Sequence, residues 1–165
     1  RDLTYAELKC RELVMEEVER LRASAPGMKN AHICEIARQL GITESRRLRG
    51  RYLLRREDMD RDFDDAIAVT GHWTRYGAVY ALPYRCLQSP EIDNLLVAGR
   101  NISVDHRVHH ATKEIPCCLA VGEAAGKAAA MACAATAAVH EVDTAELKQA
   151  LSAAGAILDY PFQQS

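Results

Sequence analysis

From Pro116 to about Val139 the chain is built almost wholly of alanine, glycine and other small apolar residues. Such a stretch has one good conformation, the α-helix, and Pro116 suits its first turn because the N–H that proline lacks is unpaired there anyway. Gly122, Gly126 and Ala130 recur every four residues along it, which strips one face of bulk. That stripe admits either close approach of another backbone or ordinary packing of a helix on a sheet. The longest uncharged run, Ala128 to Val139, is shorter than the roughly 20 residues of a bilayer span, and no charged-then-apolar leader opens the chain, so no membrane partner is expected.

The rest of the 165 residues, 48% of them hydrophobic, carry weaker signals. Thr4 and Glu7 have the spacing of a capping box, and Leu8, Val14, Val18 and Leu21 follow at helical intervals until Ala25-Pro26-Gly27. Ala31 to Ala37 is compatible with a short strand or a helix turn, the strand being favoured, and Gly41 breaks the pattern. Leu48, Tyr52 and Leu54 alternate between Arg46 and Arg56 and predict a strand decorated with guanidinium groups. Ala66 to Trp73, Ala78 to Leu82 and Leu95 to Ala98 predict further strands, separated by Gly71, Gly77, Pro90 and Asp93-Asn94. Asp143 or Thr144 caps a last helix that runs through Ala154 and stops at Gly155.

Charge argues against a polyanionic partner. The net charge is -2, and the arginines between 46 and 61 face a run of carboxylates, Glu57 to Asp65, able to neutralise them. No nucleic-acid partner is expected. The six cysteines are scattered, with Cys117 and Cys118 adjacent, which fits reduced thiols and a cytoplasmic setting better than a disulfide framework.

Residues Asp93 to Ala132 hold the densest chemistry: a turn, a short apolar strand, Gly99 at its carboxyl end, an irregular loop and then the alanine-rich helix. In open α/β sheets ligands sit beyond the carboxyl ends of strands, and a helix amino terminus offers N–H groups at a positive dipole end. Gly99 and the turn from Pro116 to Leu119 are therefore candidate ligand contacts.

The blocks ITESRRLRGRYLLRREDM, FDDAIAVTGHW, YALPYRCL, LLVAGRNIS and IPCCLAVGEAAGKAAAMA resemble the carboxyl-terminal part of the FAD-dependent oxidoreductases of the FAD_oxidored type. They occur in the family's order over most of Ala37 to Ala132. More distantly they are similar to the fumarate-reductase and glutathione-reductase flavoproteins. The resemblance implies FAD as cofactor, Leu95 to Ala98 as the last strand of the FAD domain, Gly99 and Arg100 beside the cofactor, and the helix from Pro116 aimed at the flavin ring. The amides of Cys117, Cys118 and Leu119 would then stabilise the charge of reduced flavin. The glycines stand at 27, 41, 50, 71, 77, 99, 122, 126 and 155, so G-x-G-x-x-G is absent. With Arg1 in first place, this suggests a carboxyl-terminal fragment that binds FAD poorly by itself and needs a missing N-terminal FAD-binding segment or subunit.

Tyr84 and Arg85, at a strand end, are a candidate substrate pair, since a guanidinium clamps carboxylates and a phenol donates a hydrogen bond; a structural ion pair for Arg85 is the alternative. Arg46 and Arg47 match a family block and either line a substrate cavity or pair with Glu44. In the family a histidine commonly follows the serine of the AGR-x-x-S block, and His106 takes that position; a family arginine before the proline is replaced by Lys113 or Glu114. If the DHRVHH loop is helical, His106, His109 and His110 would share a face at zinc-ligand spacing. A disulfide between Cys117 and Cys118 would close a strained ring.

The fold class expected is α/β, α+β within this fragment: the end of an FAD/NAD(P)-binding Rossmann-like domain plus part of a β-rich cap. Residues 1–90 are assigned to the cap or substrate domain, 91–140 to the last strand and helix of the FAD domain, and 141–165 to a terminal helix and tail. The function expected is hydride transfer between a small-molecule substrate and FAD, with Arg85, His106 and Tyr84 catalytic and Gly99, Arg100, Pro116, Cys117, Cys118 and Leu119 binding cofactor. The alternatives are a zinc-dependent hydrolase or module, and a non-catalytic subunit covering a flavin site.

Overall fold

A computed structural model describes residues 2–72 and 74–159. The chain divides after Thr43 into two compact units, Arg1–Thr43 and Glu44–Ser165, whereas the sequence suggested boundaries near 90 and 140.

The first unit is a helix with a strap. α1 (Asp2–Ser24) buries none of its residues and is followed by Gly27 in the left-handed region at φ +80°. Ion pairs one turn apart, Arg11 with Glu7, Arg20 with Glu17 and Arg22 with Glu19, line its solvent-screened surface. The capping box expected at Thr4 and Glu7 does not form, because both residues lie inside the helix. Glu7 instead accepts the Leu40 N–H at 2.7 Å, and Arg11 donates to the Arg38 carbonyl at 3.0 Å. Residues 31–37, read as a short strand, are irregular: the chain is tied to α1 by side chains and has no ladder partner.

The second unit is α+β. β1 (Ala66–Gly71) and β2 (Val79–Pro83) form an antiparallel hairpin with pairs Ala68↔Leu82, Val69↔Ala81 and Thr70↔Tyr80. A bulge between Ala66 and Ala68 accommodates Ile67. Both strands fall close to where their Val, Ile and Tyr content and the glycines at 71 and 77 put them, β1 ending at Gly71 and β2 running Val79–Pro83; Trp73 lies outside the described residues. Helices α2 (His106–Thr112), α3 (Ile115–Ala135) and α4 (Thr144–Ala153) follow. The Asp105 carboxylate caps α2 by accepting from Val108 N at 2.7 Å, and Asp143 caps α4 by accepting from Ala145 and Glu146.

The core forms where α3 and α4 pack on β1 and on each other. Cys117, Val121, Ala124, Ala128 and Ala132 of α3 meet Leu147 and Leu151 of α4 in one buried cluster with Ile67, Tyr80, Leu82 and Tyr84. The stripe of Gly122, Gly126 and Ala130 lies elsewhere: a Cβ at either glycine would have no neighbour within 4 Å, and Ala130 is exposed. The expectation of tight packing on that stripe is corrected, since the neighbouring stripe, which includes Val121, takes the core. α3 ends at Ala135 rather than near Val139, because Thr136 turns left-handed at φ 51° and its N–H returns to Ala132 and Cys133. By length and apolarity α3 meets the requirement for a membrane span, which the uncharged run alone does not show.

Two expected strands reduce to single bridges. Of Arg46 to Arg56 only Leu54 pairs, in parallel with Val104, and of Leu95 to Ala98 only Leu96 pairs, with Gln88. An extended segment becomes a strand only when a neighbour continues the ladder; beyond these bridges, Val97 N donates to the Leu87 carbonyl at 2.9 Å.

Candidate active site

The expected site residues are distributed over separate clefts. Arg100, Cys118 and Leu119 line a cleft of about 350 Å³ with Lys113 and Ile115, at the start of α3. His106 lines another, of about 460 Å³, with Arg56, His72, Tyr80, Arg107 and His110. Tyr84 and Arg85 line a third, of about 580 Å³, among Asp65, Phe63, Gln88 and His140. His106 is thus not brought together with Tyr84 and Arg85.

The loop that delivers Arg100 is built by backbone geometry. Gly99 has φ +97° and faces open space apart from Asn101 Oδ1, 3.9 Å from where a Cβ would stand; a side chain is excluded by the left-handed backbone, not by crowding. His109, 2% exposed, donates from Nε2 to the Arg100 carbonyl at 3.1 Å, since a carbonyl only accepts. Burial is the main cause holding the His109 pKa below its ordinary value, which keeps the ring neutral.

At the start of α3, Glu114 is the N-cap residue without a side-chain cap, and Pro116 is the second helical residue. The amides differ from the expected set. Cys118 N donates to the Glu114 carbonyl at 3.0 Å, and Leu119 lies one residue further into the ladder, so the first turn offers the N–H groups of Ile115 and Cys117. The Cys117 side chain is buried, and burial pushes its thiol up to about 12. Cys118 is half-buried, with Sγ 3.6 Å from the carbonyls of Thr112 and Lys113. The six cysteines stand as free thiols.

This cleft fits the ring end of a flavin in chemistry: apolar Ile115 and Leu119 for a flat face, Arg100 for anionic charge beside a Lys113 whose ammonium pairs with Glu114 at 2.7 Å, and the positive end of a long helix. It does not supply a pyrophosphate cradle, because the sequence contains no G-x-G-x-x-G.

Tyr84 and Arg85 are engaged otherwise. The Tyr84 hydroxyl, buried, donates to the Val139 carbonyl at 2.7 Å, and burial pushes its pKa up to about 12. Arg85 makes a two-pronged pair with Asp65, Nε to Oδ2 at 2.9 Å and Nη2 to Oδ1 at 3.1 Å, and its guanidinium lies 5.1 Å from the Tyr52 ring centre. Arg47 pairs with Glu44. The Arg85–Asp65 pair ties the residue before β1 to the turn after β2.

The histidines separate by helical angle. His106 and His110, one turn apart on α2, meet edge to face at 5.6 Å, while His109 turns inward. His106 Nδ1 is 2.6 Å from Glu44 Oε2. Among the described residues no group of three or more His, Cys, Asp or Glu side chains is placed to hold a metal ion, so the zinc alternative has no ligand set there. Sequence reasoning missed Arg56, His72, Tyr80 and Arg107 as neighbours of His106; the i, i+4 spacing of His106 and His110 was legible, but the hairpin's contribution depends on tertiary packing.

A basic, partly apolar cleft at a helix start, fed by a glycine-turned loop, is an arrangement suited to a flavin or another anionic ring. Comparison with known families identifies the class: the chain matches the family described as FAD dependent oxidoreductase over residues 1–76 and 70–151. The chain belongs to the FAD-dependent oxidoreductase family, whose cofactor is FAD. No curated protein and no solved structure matches it.

Proposed function

We propose that the chain serves a flavoprotein oxidoreductase in which hydride passes between a small organic substrate and FAD. The observation carrying this reading is the cleft at the start of α3, where Arg100, Cys118 and Leu119 converge with Lys113 and Ile115 inside a chain of the FAD-dependent oxidoreductase family. FAD, when bound, supplies the hydride-accepting ring. Arg100 supplies positive charge, the exposed Ile115 and Leu119 offer apolar surface to the ring, and the Ile115 and Cys117 amides add the helix's positive end. Gly99 and Pro116 hold backbone around them. His106 is assigned to the substrate side, where it orients substrate or moves a proton from a ring held by Glu44. Tyr84 and Arg85 are assigned structural parts, because the hydroxyl is committed to Val139 and the guanidinium to Asp65.

The pyrophosphate of FAD is held, in this reading, by a segment or subunit outside these residues, and the cleft belongs to the end of a Rossmann-like domain. Support comes from the glycine positions, none of which forms a phosphate-binding turn. The test is a flavin absorption spectrum of the complete gene product after reconstitution, beside FAD titration of the 165-residue chain. Flavin on the complete product and little on the chain alone is expected. No flavin on the complete product overturns the reading, and stoichiometric flavin on the chain alone overturns the shared site.

A further inference from the structure

The cleft around His106 has an electrostatic character that the flavin site does not explain. Its lining comprises Arg56, His72, Thr74, Tyr80, His106, Arg107, His110 and Ala111, with two guanidiniums, three imidazoles and no carboxylate. In the cleft of Tyr84 the arginines have carboxylate partners: Arg61 pairs with Asp58 and Arg85 with Asp65. No such pair forms for Arg56 or Arg107 among the described residues. In a chain of net charge -2, a hollow whose own lining holds two guanidiniums and no carboxylate is a local departure from the rest of the surface.

Carboxylates stand behind the lining and not in it: Asp105, Asp60 and Glu57 all act on the Tyr80 ring that forms its wall. Asp105 accepts from Val108 N and Arg56 N, and Asp60 accepts from Val79 N. Glu44 takes His106 Nδ1, which leaves Nε2 as that ring's other nitrogen. His72 Nδ1 accepts from Thr74 N and Arg75 N, so its proton sits on Nε2 and that nitrogen is a donor. Tyr80 completes the wall, its ring centre 6.0 Å from that of His72. Its hydroxyl is buried without a hydrogen-bond partner among the described residues, a condition that costs free energy unless a ligand relieves it. At about 460 Å³ the hollow has the size of a small-molecule site.

We propose that this cleft binds an oxyanionic group, a carboxylate or a phosphate, of a small organic molecule, with Arg56 and Arg107 as its charged clamp. Naming that molecule as the oxidoreductase substrate rests on the preceding reading; the anion site itself does not. Guanidinium forks match the planar carboxylate and the phosphate alike, and the Nε2–H of His72 adds a donor from the hairpin side.

The test is calorimetric titration of the chain with malonate and with inorganic phosphate, comparing wild type with the Arg56→Gln, Arg107→Gln double variant and with Arg85→Gln, whose guanidinium belongs to another cleft. Both arginines are exposed, and circular dichroism checks that the double variant folds. Saturable binding weakened at least about tenfold by the double variant and unchanged by Arg85→Gln is expected. Tighter malonate binding indicates a carboxylate ligand, and tighter phosphate binding a phosphate ester. No saturable binding of either anion, or equal binding by the double variant, overturns the proposal. Failure of FAD to bind the complete product leaves this result standing and removes only the flavoprotein reading.

Discussion

The Nε2 of His109, inside α2, donates to the backbone carbonyl of Arg100 across 3.1 Å. A buried neutral imidazole thus fastens the loop that carries the cleft's guanidinium. The ring has a pKa below its ordinary value, chiefly through burial, so an unfolded chain takes up a proton at this residue more readily than the native one. The associated stability is present above the ordinary histidine value of about 6.5 and is lost as pH falls from there through the native pKa. His109→Gln, which keeps a donor of similar reach, is expected to show a flatter dependence of Tm on pH across that window. Thermal unfolding followed by circular dichroism at several pH values checks this; an unchanged slope assigns the acid sensitivity to other groups.

Gly50 tests close packing rather than charge. A Cβ there would stand 2.7 Å from Ser103 Cβ and 3.2 Å from the Arg85 carbonyl. The second contact is backbone and cannot swing aside. Gly50→Ala is expected to destabilise the chain by about 1–3 kcal/mol, measured by urea unfolding, whereas Gly122→Ala, with open space around it, is expected to stabilise α3 by up to about 1 kcal/mol.

These two glycines also show what sequence can and cannot disclose. The start of α3 and both ends of α4 were legible because they are local chemistry: Pro116 at the first turn, Asp143 as a cap and Gly155 after the end; the stop of α3 at Ala135 was not, because the left-handed turn falls on Thr136 and not on a glycine. The burying face of α3 was not, since alanines on every side give no contrast between the stripe through Val121 and that through Gly122. Leu95 to Ala98 has strand composition, yet strand formation depends on a partner along its whole length. The cofactor cleft was named in large part by the family blocks, while the His106 cleft draws Tyr80 and His72 from the hairpin and is visible only once α2 packs on β1.

The thiols separate by burial. Cys34 and Cys133 are exposed, while Cys86 and Cys117 are buried and pushed by desolvation up to about 12. Because the thiolate is the reacting form, brief treatment with iodoacetamide near neutral pH is expected to label Cys34 and Cys133 and to leave Cys86 and Cys117 untouched until denaturant is added. Peptide mass spectrometry reads the sites. Rapid labelling of Cys117 in the folded chain contradicts its placement on the buried face of α3.

Tyr84 separates a structural from a catalytic role for a residue that looks suited to either. Its hydroxyl donates to the Val139 carbonyl at 2.7 Å, joining the turn after β2 to the chain before α4, and it is 1% exposed. Tyr84→Phe keeps the ring in the core and leaves that carbonyl without its donor, at an expected cost of about 1–3 kcal/mol. The lower Tm is expected with unchanged flavin binding by the complete product and, per folded molecule, unchanged turnover once a substrate is known. A variant with wild-type Tm that lost turnover would instead return the phenol to the chemistry, because a hydroxyl used for proton transfer is missed in the reaction while one used for packing is missed in unfolding.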